Sequence, residues 1–230
     1  MPRIIAIIQA RMGSTRLPGK IMMPFAGQPL LQRIIERVSW SSRLEGVAVA
    51  TTTLPSDDVV AKLCADLDVP CIRGSQDDVL ARMLQAAHQL EADVIVRLTG
   101  DNPVVDGTLI DFVLDGFLEA DPSPDYAANF GQEPCETGFP YGLYAEVAAV
   151  SALEISQPLT TEYDREHVTW FIRTHPEQFN ILKMDAPGEF AHEFLTVDTP
   201  EDYARVGEIF EKHYEANPRF GFADLMLTAA

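Results

Sequence analysis

The chain has 230 residues, of which 47% are hydrophobic and 23% are charged, a composition typical of a soluble globular domain with its own core. Its 35 acidic and 17 basic residues give a formal net charge of −18, which argues against nucleic acid or an anionic membrane surface as the main partner. Three cysteines without a C-x-x-C pair argue against a disulfide framework and a cysteine zinc site.

The N-terminal apolar run is too short for a secretory signal or a membrane span, so we expect a cytoplasmic protein without a membrane partner. The cysteines at positions 64, 71 and 135 are interpreted as small buried residues. No internal repeat or low-complexity segment is visible. We therefore predict one domain over residues 1–230.

The first 35 residues contain no acid, although the chain as a whole is strongly acidic. Residues 4–8 (IIAII) predict a strand buried on both faces, as in a parallel sheet, and residues 30–40 predict an amphipathic helix. The loop between them combines two glycines, which let backbone N–H groups approach a ligand, with Arg11, Arg16 and Lys20. This chemistry suits a polyphosphate, but the loop matches neither the Walker nor the dinucleotide pattern, so a solvated basic loop remains the alternative.

Strands and helices then alternate along the chain. Buried strands are predicted over residues 47–51, 69–72 and 93–98, with helices from about Asp57 to Asp66 and from Asp77 or Asp78 to about Leu90. This βαβ spacing predicts an α/β fold, a three-layer α/β/α sandwich around a mostly parallel central sheet.

The last of these strands runs into Thr99-Gly100-Asp101-Asn102-Pro103. In open α/β sheets ligands bind beyond the carboxyl ends of the strands, so Asp101 is expected to face the same crevice as the basic loop. The alternative is that Asp101 caps a helix or forms a turn, because this stretch is rich in turn formers.

Residues 122–146 form an insertion that is rich in prolines, glycines and aromatic residues and shows no clear hydrophobic period. We expect irregular or hairpin structure laid over the sheet, which could bind an acceptor, form a dimer contact or cap the core. Residues 161–174 predict one helix, whose polar groups either reach a site or form a solvated face.

Two further strands are predicted at residues 181–182 and 194–197. Thr199 and Pro200 suit the start of the next helix, which leaves Asp198 available for another task. If Asp101 and Asp198 converge, they form a hard oxygen site suited to Mg²⁺.

Several short motifs occur in a fixed order along most of the chain: residues 7–11 (IIQAR), Ser14, 16–20 (RLPGK), 100–103 (GDNP), 141–147 (YGLYAEV), 165–169 (REHVT) and 197–202 (VDTPED). Together they resemble the cytidylyltransferase family, which includes the CMP-Kdo and CMP-acylneuraminate synthetases. The resemblance is strongest to the branch named after spore coat polysaccharide biosynthesis protein F. Gln9 departs from the better-known synthetases, which usually carry Pro there.

The resemblance implies a GT-A-like nucleotidyltransferase fold, a homodimer, and transfer of CMP from CTP to a sugar with release of pyrophosphate. The implied acceptor is a nonulosonic acid or another acidic sugar, and the implied cofactor is Mg²⁺ on Asp101 and Asp198. By matching positions, the resemblance assigns catalysis to Arg11, Arg16, Lys20 and Asp101; nucleotide binding to Gln9, Ala10, Arg11, Gly13, Ser14, Lys20, Arg73 and Asp77; and acceptor binding to Tyr141, Glu146, Glu166 and His167.

Two other functions agree less well with these residues. A glycosyltransferase that consumes a nucleotide sugar usually holds its metal in an Asp-x-Asp motif, but the Asp66-Leu67-Asp68 triplet here lies at a predicted helix end. A non-catalytic nucleotide-binding homologue would have no evident need for Lys20 together with both aspartates.

Overall fold

The computed structural model describes residues 1–130, 136–187 and 194–227. The strands are β1 Ile4–Gln9, β2 Pro24–Phe25, β3 Gln28–Pro29, β4 Gly46–Thr52, β5 Cys71–Gly74, β6 Val94–Thr99, β7 Tyr126–Ala128, β8 Glu146–Ala149 and β9 Ile181–Lys183. The helices are α1 Leu30–Val38, α2 Asp58–Asp66, α3 Val79–Gln89, α4 Gly107–Glu119, α5 Val150–Ser156, α6 Glu162–Glu166, α7 Trp170–Thr174, α8 Pro200–Ala216 and α9 Phe222–Leu227.

Seven strands form the central sheet in the order β5-β4-β1-β6-β8-β7-β9. The first four run parallel to one another, and β8 runs antiparallel to both of its neighbours, β6 and β7. Because β1 lies inside the sheet, its residues 4–8 are buried on both faces, as their β-branched composition predicts. The strands β2 and β3 form a separate small hairpin.

Helices cover both faces of the sheet. Alternate residues of β1, such as Ile4 and Ile8, belong to a core that includes residues of α1, α4 and α8. Ile5 and Ile7 point to the opposite face and join a second core with residues of α3, α5 and α7. The predicted three-layer α/β/α architecture with a mostly parallel sheet is therefore confirmed.

The register of the parallel strands brings two loops together at one edge of the sheet. Gln9, the last residue of β1, pairs with Thr99, the last residue of β6. The next residue, Gly100, donates its N–H to the Gln9 carbonyl at 2.9 Å, and a Cβ at Gly100 would lie 3.1 Å from the Ala10 Cβ. This close approach places the basic loop beside the Asp101 loop.

Residues 161–174 form two short helices instead of the one predicted. Thr161 begins α6 with a capping box. The helix ends before α7 begins, at a bend where Val168 has a φ of +46°. Val168 and Thr169 are fully buried at this bend, and Thr169 donates a hydrogen bond to the buried Glu146. Tertiary contacts thus override the helical period of this segment.

Three other expectations differ from the structure. The strand predicted at residues 194–197 is wrong: its bridge to Tyr141 is isolated, and the N–H groups of Leu195 and Val197 donate to the carbonyls of Tyr141 and Asp101. The irregular segment 122–146 contributes β7 to the central sheet itself. Helix α4 was not predicted.

None of the helices in the described ranges could span a lipid bilayer.

Candidate active site

The loop after β1 is held in shape by its own backbone and by one buried acid. The Met12 N–H donates to Asp57 Oδ1 at 2.7 Å, and the Met12 carbonyl accepts from the N–H groups of Ser14 and Gly19 at 2.9 and 3.0 Å. Gly19 has a φ of +74°, a conformation that favours glycine. Asp57, expected to help begin α2, therefore anchors this loop.

Lys20 follows directly and binds both predicted aspartates. Its Nζ lies 3.0 Å from Asp198 Oδ1, 3.4 Å from Asp101 Oδ2 and 2.7 Å from the Val197 carbonyl. Arg16 pairs with the other Asp198 oxygen at 2.8 Å. The structure therefore brings the basic loop and the two aspartates, which are 81 and 178 positions from Lys20, into one ionic cluster.

Two clefts meet at this cluster. The loop cleft has a volume of about 320 Å³ and is lined by Gln9, Ala10, Arg11, Gly13, Ser14, Thr15, Arg16, Lys20, Ile21, Thr99, Gly100, Asp101, Glu166 and Asp198. The aromatic cleft has a volume of about 460 Å³ and is lined by Arg16, Arg97, Leu98, Thr99, Asp101, Asn102, Phe130, Tyr141, Tyr144, Glu146, Tyr163, His167, Trp170, Arg173, Thr196 and Asp198. Both clefts share Arg16, Thr99, Asp101 and Asp198, which form their junction.

Neither aspartate at the junction is used as a helix cap. Asp106 caps α4 by accepting the Thr108 N–H at 2.7 Å, and Thr199 caps α8. Asp101 instead accepts a hydrogen bond from Thr99 Oγ1 at 2.5 Å. Their side chains are 29% (Asp101) and 23% (Asp198) exposed, so both carboxylates are oriented by bonds yet open to the clefts.

A family model of cytidylyltransferases matches residues 5–219 of the chain. The chain belongs to the cytidylyltransferase family. Spore coat polysaccharide biosynthesis protein SpsF of Bacillus subtilis is 34% identical over 218 residues, 92% of this chain and 88% of that protein. A 3-deoxy-manno-octulosonate cytidylyltransferase of Trichlorobacter lovleyi is 35% identical over 118 residues, 50% of this chain and 45% of that protein.

Solved structures agree with this assignment. A cytidylyltransferase from Leptospira borgpetersenii superposes with a TM-score of 0.89 at 32% identity, covering 99% of this chain and 94% of that chain. A CMP:2-keto-3-deoxy-manno-octonic acid synthetase complexed with CTP superposes with a TM-score of 0.70 at 20% identity, covering 92% and 99%. The second likeness shows the shared fold, which is the predicted nucleotidyltransferase fold.

In this cytidylyltransferase Glu146 is a buried member of a polar row. Arg97 donates to one of its carboxylate oxygens, and Tyr126 (2.9 Å) and Thr169 donate to the other. Burial raises the pKa of Glu146, but the opposing effects of Arg97, Arg173 and these hydrogen bonds leave it below its ordinary value. Since both oxygens are already bonded, Glu146 supports the cleft wall, whereas an open acceptor-binding position was expected.

The other acceptor candidates lie at the clefts. Tyr141 and His167 line the aromatic cleft, and Glu166 lines the loop cleft of the cytidylyltransferase. Burial and the nearby carboxylates of Asp198 and Asp101 raise the pKa of Tyr141, whose side chain lines the same cleft as both aspartates.

Two residues that were predicted to bind the nucleotide, Arg73 and Asp77, line neither cleft. The Arg73 guanidinium is occupied at the end of β5, where it donates to the Thr52 and Leu54 carbonyls and to Asp58. Asp77 is exposed and accepts from the neighbouring Gln76 at 3.1 Å. The structure therefore does not bring these two residues to the loop cleft.

Sequence reasoning missed several cleft residues of the cytidylyltransferase. Arg97 was detectable as the one charge within the apolar strand VIVRLT. Tyr163 and Trp170 flank the predicted His167 at intervals of four and three, the spacing of one helical face. Arg173 and Tyr144 gave no such signal.

The donor set at the junction fits Mg²⁺. Two carboxylates supply hard oxygen ligands, and Mg²⁺ in proteins is commonly held by one or two carboxylates plus water and substrate phosphates. Within the described residues no cluster of three or more His, Cys, Asp or Glu side chains is suited to a metal. A metal at the junction would therefore depend on Asp101, Asp198 and the substrate.

Proposed function

We propose that this cytidylyltransferase transfers CMP from CTP to a sugar and releases pyrophosphate. The observation that carries the proposal is the contact of Lys20 with both Asp101 and Asp198 at the junction of two clefts. The printed names of the relatives support it, because they include a polysaccharide biosynthesis protein and sugar-acid cytidylyltransferases.

The loop cleft is the proposed nucleotide site. Gly13 and Ser14 line it together with Arg11, Arg16 and Lys20, a combination of small polar and basic residues suited to phosphate oxygens. Their positive charge would hold the triphosphate with its α-phosphorus at the junction. Gln9 and Ala10 line the same cleft and would lie against the nucleoside or its phosphates.

The aromatic cleft is the proposed acceptor site, and the acceptor hydroxyl would reach the α-phosphorus across the junction. Asp101 and Asp198 would hold Mg²⁺, which when bound neutralises charge on the phosphate oxygens. Lys20 and Arg16 would stabilise the negative charge that grows on those oxygens during in-line attack. Glu166 lines the loop cleft and His167 lines the aromatic cleft, and either side chain would accept the hydroxyl proton.

The proposed acceptor is an acidic sugar, a nonulosonic acid or a related compound used for surface polysaccharide or glycoconjugate synthesis. Three arginines, Arg16, Arg97 and Arg173, line the aromatic cleft. Guanidinium groups bind carboxylates through paired donors, so they suit a sugar acid better than a neutral sugar.

Pyrophosphate release tests the proposal. The wild-type protein is mixed with CTP, Mg²⁺ and a panel of sugar acids, and Asp101→Ala and Asp198→Ala are measured beside it. We expect release with at least one sugar and a loss of at least about 100-fold in both variants. Asp115→Ala is the control, because Asp115 lies on α4, is 41% exposed, pairs with Arg43 and lines neither cleft. Near-normal turnover in either cleft variant would refute the assignment.

We also propose a homodimer, as the resemblance implies. Ile155 and Leu159 are large apolar side chains that remain 59% and 52% exposed, and such surfaces are commonly covered in assemblies. Sedimentation equilibrium should give twice the 25.4 kDa chain mass. A mass of one chain at micromolar concentration would contradict it.

A further inference from the structure

A chain of three hydrogen bonds ends on Asp101 at the junction of the two clefts. Thr196 Oγ1 donates to Asn102 Oδ1 at 2.9 Å, and Asn102 Nδ2 donates to Thr99 Oγ1 at 3.0 Å. Thr99 Oγ1 in turn donates to Asp101 Oδ1 at 2.5 Å. The chain of bonds therefore connects the end of β6 with the segment before Asp198.

The direction of these bonds follows from the groups involved. An ionised carboxylate only accepts hydrogen bonds, so the single hydroxyl proton of Thr99 is directed to Asp101. Thr99 can then only accept from its other neighbour, which requires the amide nitrogen of Asn102, and not the amide oxygen, to face it. The amide oxygen consequently faces Thr196, which supplies its own hydroxyl proton. Asn102 thus keeps the Thr99 hydroxyl available for Asp101.

Asn102 also joins the two loops that carry the aspartates. Its side-chain bond to Thr196 runs beside a backbone bond in which the Val197 N–H donates to the Asp101 carbonyl at 2.8 Å. Asp198 follows directly in the sequence. Because a side-chain bond and a backbone bond connect the same two loops, these loops themselves set the separation of the two carboxylates.

The two carboxylate oxygens of Asp101 are held differently. Oδ1 accepts the short bond from Thr99, whereas Oδ2 lies 3.4 Å from Lys20 Nζ, the longest of the three contacts of that ammonium group. Oδ2 is therefore the more weakly bonded oxygen and the better ligand for a cation. Hydrogen bonds to a carboxylate ligand from outside the metal site orient it and raise the affinity for the metal.

We propose that Asn102 and Thr99 are positioning residues for the Mg²⁺ site, and that they act by fixing the orientation of Asp101 before CTP binds. The inference rests on the proposed function, because it concerns the metal at the same junction. It gives Asn102 a role beyond turn formation. Both residues also line the aromatic cleft, so direct contact with the acceptor is the competing role.

Calorimetric titration of CTP tests the inference, with and without saturating Mg²⁺ and with no sugar present. The measured quantity is the gain, defined as the dissociation constant of CTP without Mg²⁺ divided by that with Mg²⁺. We expect the gain to fall at least about 3-fold in Asn102→Ala and in Thr99→Val, which removes the hydroxyl and keeps the shape of the side chain. Thr99→Ser keeps the hydroxyl and should retain the wild-type gain.

The gain separates a positioning role from the alternatives. A general structural defect weakens CTP binding with and without Mg²⁺ alike, and a residue that only contacts the acceptor does not change CTP binding. Asn180→Ala is the matched control and should retain the gain, because that amide bonds to the Pro122 and Ser123 carbonyls and lines neither cleft. An undiminished gain in Asn102→Ala or Thr99→Val would overturn the inference and leave the proposed function intact.

The double variant tests whether the two residues act in series. If Asn102 acts through Thr99, combining Asn102→Ala with Thr99→Val should reduce the gain no further than the larger of the two single losses. A combined loss equal to the product of the two separate losses would show independent effects and overturn the inference.

Two further results would also be decisive. If the wild-type protein shows no gain, the metal assignment of the proposed function fails and the inference fails with it. If circular dichroism shows that Asn102→Ala does not fold, the comparison of Thr99→Val with Thr99→Ser decides. Equal gains in that pair would overturn the inference, and a loss confined to Thr99→Val would support it.

Discussion

Lys20 shows how much of the site depends on one buried side chain. An ammonium group has three donors, and here they reach Asp101, Asp198 and the Val197 carbonyl. Lys20 is 7% exposed, so little water competes for these bonds. To bind a phosphate oxygen as proposed, Lys20 would have to exchange at least one of them.

Replacing Lys20 with Met keeps the length of the side chain and removes its charge. We expect turnover to fall by at least about 100-fold, because the positive charge beside the transferred phosphate is lost. Pyrophosphate release measures this loss, and circular dichroism checks the fold. Lys62→Met is the matched control, since that side chain is 74% exposed and pairs with Asp66 within α2. Similar losses in both variants would contradict a specific role for Lys20.

Glu146 provides a test based on pH. Breaking a buried ion pair leaves Arg97 uncompensated, so Glu146→Gln should lower the free energy of unfolding by roughly 3–5 kcal/mol near neutral pH. The folded pKa of Glu146 is depressed, so its stabilising contribution is complete above the ordinary value of 4.5 and is lost as pH falls through the folded value. The difference in the free energy of unfolding between wild type and variant should therefore become smaller at acidic pH.

Urea unfolding of both proteins at about pH 7 and about pH 4 measures this difference. Glu154→Gln is the control, because Glu154 is 52% exposed and its pair with His88 lies on the surface. That variant should change stability by no more than about 0.5 kcal/mol. If the loss of unfolding free energy in Glu146→Gln is the same at both pH values, the proposed contribution of the ionised Glu146 is contradicted.

At the scale of elements, the bend between α6 and α7 decides which residues reach which cleft. Glu166 enters the loop cleft while its neighbour His167 enters the aromatic cleft. One continuous helix over residues 161–174, as the sequence period predicts, would rotate these side chains differently. The period could not reveal the break, because the bend is held by a bond between distant residues, from Thr169 to Glu146, which is 23 positions earlier.

A second element-scale feature is the contact between Gly142 and the segment before Asp198. Gly142 has a φ of +94°, and a Cβ there would lie 2.4 Å from the Thr196 nitrogen. Gly142→Ala should therefore cost at least about 2 kcal/mol of stability and displace Tyr141. In kinetics, the KM for the sugar should rise while CTP affinity stays unchanged.

Gly27→Ala measures the cost of backbone strain in the absence of a steric clash. Gly27 has a φ of +81°, but a Cβ there would meet nothing within 4 Å. This variant should show only the conformational cost, about 1 kcal/mol, with unchanged kinetics. Urea unfolding compares the two variants, and equal losses of stability would contradict the proposed contact.

At the scale of the whole molecule, the sequence predicted the parallel half of the sheet well. Strands β1, β4, β5 and β6 have apolar runs and alternate with helices, so their pairing follows from local signals. In the other half only β9 was predicted, at residues 181–182, because β7 and β9 have three residues each and β8 has four. Their order depends on distant contacts that leave no periodic pattern.

The candidate site was predictable to the same extent. Lys20 follows from the acid-free basic loop, Asp101 from the end of β6, and Asp198 from the capping role of Thr199. Arg73 was expected at the nucleotide but lines neither cleft, because a charged residue at a strand end does not show whether it faces a ligand or its own loop. The aromatic cleft combines several separate segments between Arg16 and Asp198, and no local rule links them.

The acid-free N-terminal segment and the two distant aspartates form one site only because the whole sheet brings them together. Calorimetric titration of CTP with and without Mg²⁺ tests this claim most directly, using wild type, Asp101→Asn, Asp198→Asn and the exposed control Asp115→Asn. The account predicts that wild type and control bind CTP at least about 10-fold more tightly with Mg²⁺, and that both cleft variants lose this gain. Equal affinity with and without Mg²⁺ in wild type, or an undiminished gain in either cleft variant, would contradict it.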